Sequence, residues 1–229
     1  VRFSVTCNAF CNGEIRRKMK KIDIHCHVLP KLDDGSASFQ ESIRMLKLAC
    51  RQGIQAVVAT PHDSHQFRQE DPEKIRNLCR RLEIRARAEV NPDFRVYPGE
   101  EIFYSQETLE KLKRNQLLTI GESRYLLIEF MPNVPYSLLY RAVRELTEEQ
   151  YRPILAHMER YGVLREKGRV EELVKAGACM QMNYRRIGGR WYDETVRWCR
   201  KMLKNQKVHF LATDMHNTKS RRPQTQEAE

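Results

Sequence analysis

The feature of this sequence that most constrains its fold is a regular alternation of short apolar runs with longer helix-like stretches. The strand-like runs cover residues 22–26, 55–60, 95–98, 125–130, 153–157, 179–183 and 208–213. Such alternation is typical of parallel strands joined by right-handed helical crossovers. We therefore predict an α/β fold in which seven β/α repeats form a small barrel.

The intervening stretches carry helix signals. Ser38 and Glu41 have the spacing of a capping box and precede apolar residues at helical spacing, so Glu41 is explained as a cap and is left out of any site. Asp71-Pro72 has the form of a second helix start. Further helices are predicted near residues 106–114, 136–150, 166–176 and 191–205.

The length of 229 residues suits one enzyme-sized domain, which we place at residues 19–216. Residues 1–18 show no sustained periodicity, and we expect a disordered N-terminal extension with Met19 as the natural start. Residues 217–229 are rich in Arg, Gln, Thr and Glu. We expect a polar tail there, cut short before a final helix.

Charge and cysteine content narrow the class of protein. The formal net charge is +11, which suits phosphorylated substrates. Because no nucleic-acid motif or aromatic-interleaved basic stripe is present, we expect no nucleic-acid partner.

The seven cysteines are odd in number and scattered, which indicates reduced thiols in a cytoplasmic protein. No apolar run approaches the roughly 20 residues of a membrane span, so we expect no membrane insertion. The oligomeric state is left open.

The residues at the predicted strand ends share one chemical character. In barrels the active site lies at the carboxyl ends of the strands. Five of the seven histidines and several carboxylates fall there: His25, His27, His62, Glu100, Glu101, Glu129, His157, Asp214 and His216. A single strand-end histidine is more often structural, but the joint pattern predicts a metal centre.

Spacing along the strands refines this prediction. Residues two apart on a strand point the same way, so His25 and His27 can bind one ion while Cys26 faces away. Imidazole combined with carboxylate, without thiolate, suits Mn²⁺, Fe²⁺ or Zn²⁺. Glu100 and Glu101 cannot both point inward, so we expect one ligand and one solvated side chain, and periodicity does not choose between them.

Two arginines follow these motifs. Arg160 stands three residues after His157, and Arg221 follows His216. Either guanidinium could bind phosphate oxygens in a bidentate manner. A solvated surface arginine is an equally open interpretation for each.

The order of motifs resembles a known family. It runs Ile-Asp-Ile-His25-Cys-His27, Asp33-Asp34-Gly35, Thr60-Pro61-His62, Gly99-Glu100-Glu101-Ile-Phe-Tyr, Leu-Ile-Glu129-Phe, Ala-His157-Met-Glu-Arg160-Tyr and Thr-Asp214-Met-His216-Asn. From about Lys20 to Arg222 the chain is similar to the PHP-type (polymerase and histidinol phosphatase) protein-tyrosine phosphatases. These act in capsule and exopolysaccharide systems of Gram-positive bacteria on the tyrosines of a partner tyrosine kinase.

The resemblance implies a distorted seven-stranded, TIM-like (β/α)7 barrel of PHP type that holds three divalent ions, usually manganese. The implied ligands of the first ion are His25, His27, Glu101 and Asp214. Those of the second are Glu101, Glu129 and His157, and those of the third are Asp34, His62 and His216. The family pattern favours Glu101 over Glu100 and places Arg160 and Arg221 near the phosphate.

The function that follows is hydrolysis of phosphotyrosine by a metal-bound hydroxide, with a tyrosine kinase tail as partner. No cysteinyl-phosphate intermediate is expected, because we predict that Cys26 and the other cysteines lack the Cys-x5-Arg loop of thiol phosphatases. Two alternatives stay open: a PHP phosphatase of a small phosphomonoester such as histidinol phosphate, and a catalytically silent docking module that holds metal.

Overall fold

The structure is a computed structural model that describes residues 21–64 and 70–225. The predicted extension at residues 1–18, the start at Met19 and residues 226–229 of the predicted tail lie outside this part. The strands are β1 (Lys21–Cys26), β2 (Ile54–Ala59), β3 (His62–Asp63), β4 (Arg95–Pro98), β5 (Glu101–Phe103), β6 (Tyr125–Glu129), β7 (Arg152–Leu155), β8 (Cys179–Asn183) and β9 (Phe210–Ala212). The α-helices are α1 (Phe39–Arg51), α2 (Pro72–Glu89), α3 (Thr108–Lys113), α4 (Tyr136–Glu148), α5 (Arg169–Lys175) and α6 (Glu194–Lys204).

The strands form a curled parallel sheet. Three of them pair in the order β1-β2-β4, and six pair in the order β3-β5-β6-β7-β8-β9. After β9 the chain returns beside β1, where the Asp214 N–H donates to the His25 carbonyl and the His27 N–H donates to the Met215 carbonyl, both over 2.9 Å. The predicted α/β fold is confirmed, whereas the count of seven β/α repeats stays a prediction.

Two of the predicted strands are each followed, after a short break, by a further short strand. β3 follows β2 across Thr60 and Pro61, and proline has no N–H to donate to a neighbouring strand. β5 follows β4 across Gly99 and Glu100. A β-carbon on Gly99 would lie 2.8 Å from Cγ1 of Val58, so only glycine permits this close approach. Sequence periodicity missed β3 and β5 because each is too short to show a pattern.

Alternation along the central strand explains how both faces of the sheet are covered. Leu126 and Ile128 of β6 pack in one buried cluster with Leu139 of α4. Leu127, between them in sequence, belongs to a smaller cluster with Ile154 of β7 on the other face. A separate cluster buries β1, β2 and β4 against α1 and α2. The carboxyl ends of the strands are thereby held in a packed frame.

The helix starts follow the predicted capping. The Ser38 hydroxyl accepts from the Glu41 N–H over 3.2 Å, and the Glu41 carboxylate accepts from the Ala37 N–H over 3.1 Å. Glu41 is therefore a cap, as predicted. Asp71 caps α2 by accepting from the Glu73 N–H over 3.0 Å. Among the helices in the described residues, none has the length and apolar character needed to cross a membrane.

The described part of the predicted tail packs against the end of α1. The Gln52 side chain donates to the Pro223 carbonyl over 2.8 Å and accepts from the Thr225 N–H over 2.7 Å. Thr225 is fully buried. The composition of residues 217–225 predicts a polar segment, but it does not predict these contacts. They hold the segment against the domain that contains the sheet.

Candidate metal centre

The site begins at the carboxyl end of β1. His25 and His27 are both buried, and their Nε2 atoms lie 3.3 Å apart. Cys26 points the other way and its thiol donates to the Val58 carbonyl over 3.3 Å. The predicted alternation along this strand is therefore present.

Two carboxylates face the same imidazoles. Oε2 of Glu101 lies 3.2 Å from Nε2 of His25 and 3.3 Å from Nε2 of His27. Oδ1 of Asp214 lies 3.6 Å from each of these nitrogens. These distances bring together the four side chains that the resemblance implied for a first ion.

A second group of side chains faces the carboxylates of Glu101 and Glu129. Nε2 of His157 lies 2.8 Å from Glu101 Oε1 and 3.5 Å from Glu129 Oε2. Nδ1 of His62 also faces both carboxylates, at 3.1 Å from Glu101 and 3.2 Å from Glu129. His62 was predicted only in the third set, and the structure places it between the second and the third.

The third group lies at the outer edge. Oδ1 of Asp34 lies 3.5 Å from His62 Nε2 and 3.3 Å from His216 Nε2. One donor atom from each of His27, Asp34, His62 and His216 lies within 4.8 Å of the others. The Asp34 side chain is 47% exposed, so this group opens to solvent. All nine predicted ligand residues are thus gathered in one place.

Of the two adjacent glutamates, one has the expected role and the other does not. Glu101 faces the histidines, which agrees with the family pattern. Glu100 was expected to be solvated, but it is buried, and this part of the prediction is wrong. Its carboxylate accepts from the Leu118 N–H over 2.5 Å, and burial raises its pKa to about 8. Periodicity could not show this, because the acceptor role depends on a distant backbone amide.

Both predicted arginines lie against the metal-type ligands. Nη2 of Arg160 donates to Asp214 Oδ2 over 2.8 Å. Arg221 donates from Nη2 to Asp214 Oδ1 over 3.0 Å and from Nη1 to Asp34 over 3.1 Å. Their side chains are 31% and 27% exposed. The alternative of a solvated surface arginine does not describe either residue.

The sequence that forms this site matches a known protein family over most of its length. A family model described as capsular polysaccharide synthesis, CpsB/CapC, matches residues 21–229. The chain belongs to the CpsB/CapC family. The resemblance inferred from its motifs is thereby confirmed.

Curated CpsB/CapC relatives are named as phosphatases. The chain is 35% identical over 212 residues to tyrosine-protein phosphatase YwqE of Bacillus subtilis, covering 90% of this chain and 82% of that protein. It is 35% identical over 214 residues to tyrosine-protein phosphatase CpsB of Streptococcus pneumoniae, covering 90% and 87%. A solved structure, from work describing YwqE and CpsB as unique metal-dependent tyrosine phosphatases, has a TM-score of 0.84 and 33% identity, covering 91% of this chain and 84% of that one.

The donor atoms of this CpsB/CapC site fit bound cations. Imidazole nitrogens and carboxylate oxygens that face one another at 3.2–3.6 Å need protons or metal ions between them. Burial lowers the pKa of His25, but the Glu101 and Asp214 carboxylates outweigh it and raise the pKa to about 9. Burial raises the pKa of Glu101, but His25, His157 and His27 hold it well below its usual range. The site therefore attracts positive charge.

Polar residues behind the ligands were not predicted. Gln181 Oε1 lies 3.1 Å from His25 Nδ1 and accepts from the His157 N–H over 2.7 Å. The Asn183 amide donates to Asp214 Oδ2 over 2.8 Å. Both lie on β8, two residues apart on one face, and this period of two is visible in the sequence.

The turn after β1 holds His27 from the other side. Asp33 Oδ2 lies 2.7 Å from His27 Nδ1 and accepts from the His62 N–H over 3.1 Å. A β-carbon on Gly35 would lie 2.3 Å from the His27 carbonyl oxygen, so the turn can pass here only as glycine. The Asp33-Asp34-Gly35 motif therefore orients one imidazole and presents Asp34 beside it.

Two of the ligand-type residues adopt left-handed backbone conformations. φ is +33° at His157 and +50° at Asp214. Non-glycine residues rarely adopt such values, which cost on the order of 1 kcal/mol or more each. Backbone strain of this kind concentrates at functional sites. Here both residues lie just beyond the carboxyl ends of strands, His157 after β7 and Asp214 after β9.

The structure also disfavours thiol chemistry among the described cysteines. Cys26 has no arginine six residues later, but Cys79 is followed by Arg85 and Cys179 by Arg185 at the Cys-x5-Arg spacing. Cys79 lies within helix α2, where burial raises its pKa to about 12. Cys179 begins an extended strand that carries the chain roughly 20 Å before Arg185. Neither pair forms a phosphate-binding loop; the pair at residues 11 and 17 lies outside the described residues.

Proposed function

We propose that this CpsB/CapC chain is a metal-dependent protein-tyrosine phosphatase. Its substrate is phosphotyrosine in a partner protein, the tail of a bacterial tyrosine kinase that regulates capsule or exopolysaccharide synthesis. The observation that carries the proposal is the convergence of five imidazoles and four carboxylates at one edge of the sheet, with two arginines beside them. The names of the relatives support the substrate class.

The ligand sets that we propose follow the three groups of side chains. Three divalent ions, manganese by preference, would be held by His25, His27, Glu101 and Asp214, by Glu101, Glu129 and His157, and by Asp34, His62 and His216. Ions of this type, when bound, activate water and neutralise phosphate charge. The mixed imidazole and carboxylate donors also suit Fe²⁺ and Zn²⁺.

The chain's own groups bind and orient the phosphate in this proposal. Arg160 and Arg221 flank Asp214 with partly exposed side chains, and a guanidinium can donate two hydrogen bonds to a phosphate. Asp214 fixes their positions, because Arg160 contacts its Oδ2 atom and Arg221 its Oδ1 atom. Charge that develops on the phosphoryl oxygens during hydrolysis would therefore meet preorganised donors.

We also propose a PHP-type barrel of seven β/α repeats in a cytoplasmic protein. β3 continues β2 and β5 continues β4 after short breaks, which reduces the strand segments to seven units. The return of the chain from β9 to β1 supports closure. Free thiols at the described cysteines Cys26, Cys50, Cys79, Cys179 and Cys199 support a reducing compartment.

The proposal can be tested on protein purified without chelator. Metal content is measured, and turnover of a phosphotyrosine peptide is compared with that of small phosphomonoesters, histidinol phosphate among them. Higher kcat/KM on the peptide supports the proposal. Preference for the small ester would make the chain a small-molecule phosphatase, and full metal content without turnover would make it a docking module.

A further inference from the structure

A third arginine lies beside the same carboxylate as Arg160 and Arg221. Arg185 belongs to the short 3-10 helix Tyr184–Arg186 that directly follows β8. Its Nη2 atom lies 3.6 Å from Asp214 Oδ2, and its side chain is 26% exposed. Gln181, Asn183 and Arg185 follow one another at intervals of two along this segment. The segment that follows β8 therefore places a guanidinium at the site, rather than an imidazole or a carboxylate.

Asp214 does not need Arg185 as a partner. Its Oδ2 atom already accepts from Arg160 and from Asn183, each over 2.8 Å. Its Oδ1 atom accepts from Arg221 over 3.0 Å. Arg185, at 3.6 Å, lies beyond hydrogen-bond distance of this carboxylate.

Within the described residues, Asp214 is the one carboxylate that lies within ion-pair distance of Arg185. The Nε atom of Arg185 is buried, and none of the described residues forms a hydrogen bond with it. A partly buried cation without a hydrogen-bonded anion is unfavourable unless a ligand completes its surroundings.

We infer that Arg185 is a third phosphate-binding arginine, and that the three guanidiniums around Asp214 select a dianionic phosphomonoester. The inference rests on the proposed function and extends it by naming a substrate-binding residue on β8. A phosphate placed between Arg160, Arg185 and Arg221 would supply the acceptors that Arg185 lacks. A diester carries one charge fewer and would gain less from the third guanidinium.

The test uses the metal-loaded full chain and inorganic phosphate as the probe. Arg185→Gln and Arg185→Lys are compared with Arg186→Gln, because Arg186 is adjacent but exposed. Binding of inorganic phosphate is measured by calorimetry, with metal content and melting temperature recorded for each variant. Phosphate affinity should fall about tenfold or more in Arg185→Gln, less in Arg185→Lys, and little in Arg186→Gln.

Kinetics distinguish substrate binding from a structural role. KM for a phosphotyrosine peptide should rise in Arg185→Gln, with metal content unchanged and with a smaller effect on a phosphodiester. Unaltered phosphate affinity, or loss of metal together with affinity, would overturn the inference. If the unsubstituted protein neither binds phosphate nor hydrolyses phosphotyrosine, the proposed function itself fails, and the two failures are thereby distinguished.

Discussion

Gln181 lies directly behind His25, with its side-chain oxygen 3.1 Å from the imidazole Nδ1. The contact leaves Nε2 of His25 facing Glu101. Hydrogen bonds of this kind fix the tautomer and the orientation of a metal-binding imidazole. The same oxygen accepts from the His157 N–H, so one amide supports two strand ends.

We expect Gln181→Leu to weaken metal binding by about 10–100-fold, because the imidazole of His25 loses the hydrogen bond that fixes its tautomer and orientation. Metal affinity is measured by titration of chelated protein. Gln40→Leu, at an exposed position of α1, is the control and should bind metal normally. Equal affinities in the two variants would show that Gln181 does not orient the site.

Removal of a ligand should abolish both activity and metal binding. His25→Ala, His157→Ala and Asp214→Ala each remove one of the side chains that converge at the proposed metal centre. Metal content should therefore fall together with kcat. His209→Ala is the control, because His209 is exposed and lies outside the site. Near-normal turnover in any one ligand variant would remove that residue from the assignment.

Arg160→Ala should keep its metal and lose rate. If Arg160 acts as a preorganised donor to the phosphate, the loss in kcat/KM corresponds to on the order of 2–4 kcal/mol. Metal content and turnover are measured on the same preparation. Loss of metal in this variant would instead show that Arg160 supports Asp214.

Chelation and thiol modification should differ in their effect on phosphatase activity. EDTA should abolish phosphatase activity, and added Mn²⁺ should restore it. Iodoacetamide should leave most of the activity, because the Cys26 thiol is buried and burial raises its pKa well above the usual range. Cys26→Ser serves as the control for perturbed packing. Turnover by fully chelated enzyme would contradict the metal-dependent mechanism.

Gly35→Ala should destabilise the fold and disturb His27. The added methyl group would overlap the His27 carbonyl, and relief of such overlap typically costs about 1–3 kcal/mol. Gly162→Ala is a matched control, since a β-carbon there meets no described atom within 4 Å. Urea unfolding and metal titration are measured for both. Equal midpoints would show that the turn can shift without cost.

The sequence was most informative where chemistry repeats at strand ends. His25 and His27 could be placed from a period of two, and Glu41 could be set aside because its cap position accounts for it. Glu100 could not be placed, because its role depends on the backbone amide of Leu118 in another segment. Gln181 and Asn183 showed a period of two along their strand, but the strand-end residue types drew attention to imidazoles and carboxylates instead. Residues 217–225 were misleading, since a polar segment can pack through hydrogen bonds that leave no apolar pattern.

Arg221 lies in the segment that Gln52 secures against the end of α1. The side chains of the site therefore extend in sequence from His25 to Arg221. The site can form only after β1 and the segment that carries Arg221 have come together. Contacts so distant in sequence slow folding because a long loop must close first. During synthesis on the ribosome, the site would therefore stay incomplete until the segment that carries Arg221 has emerged.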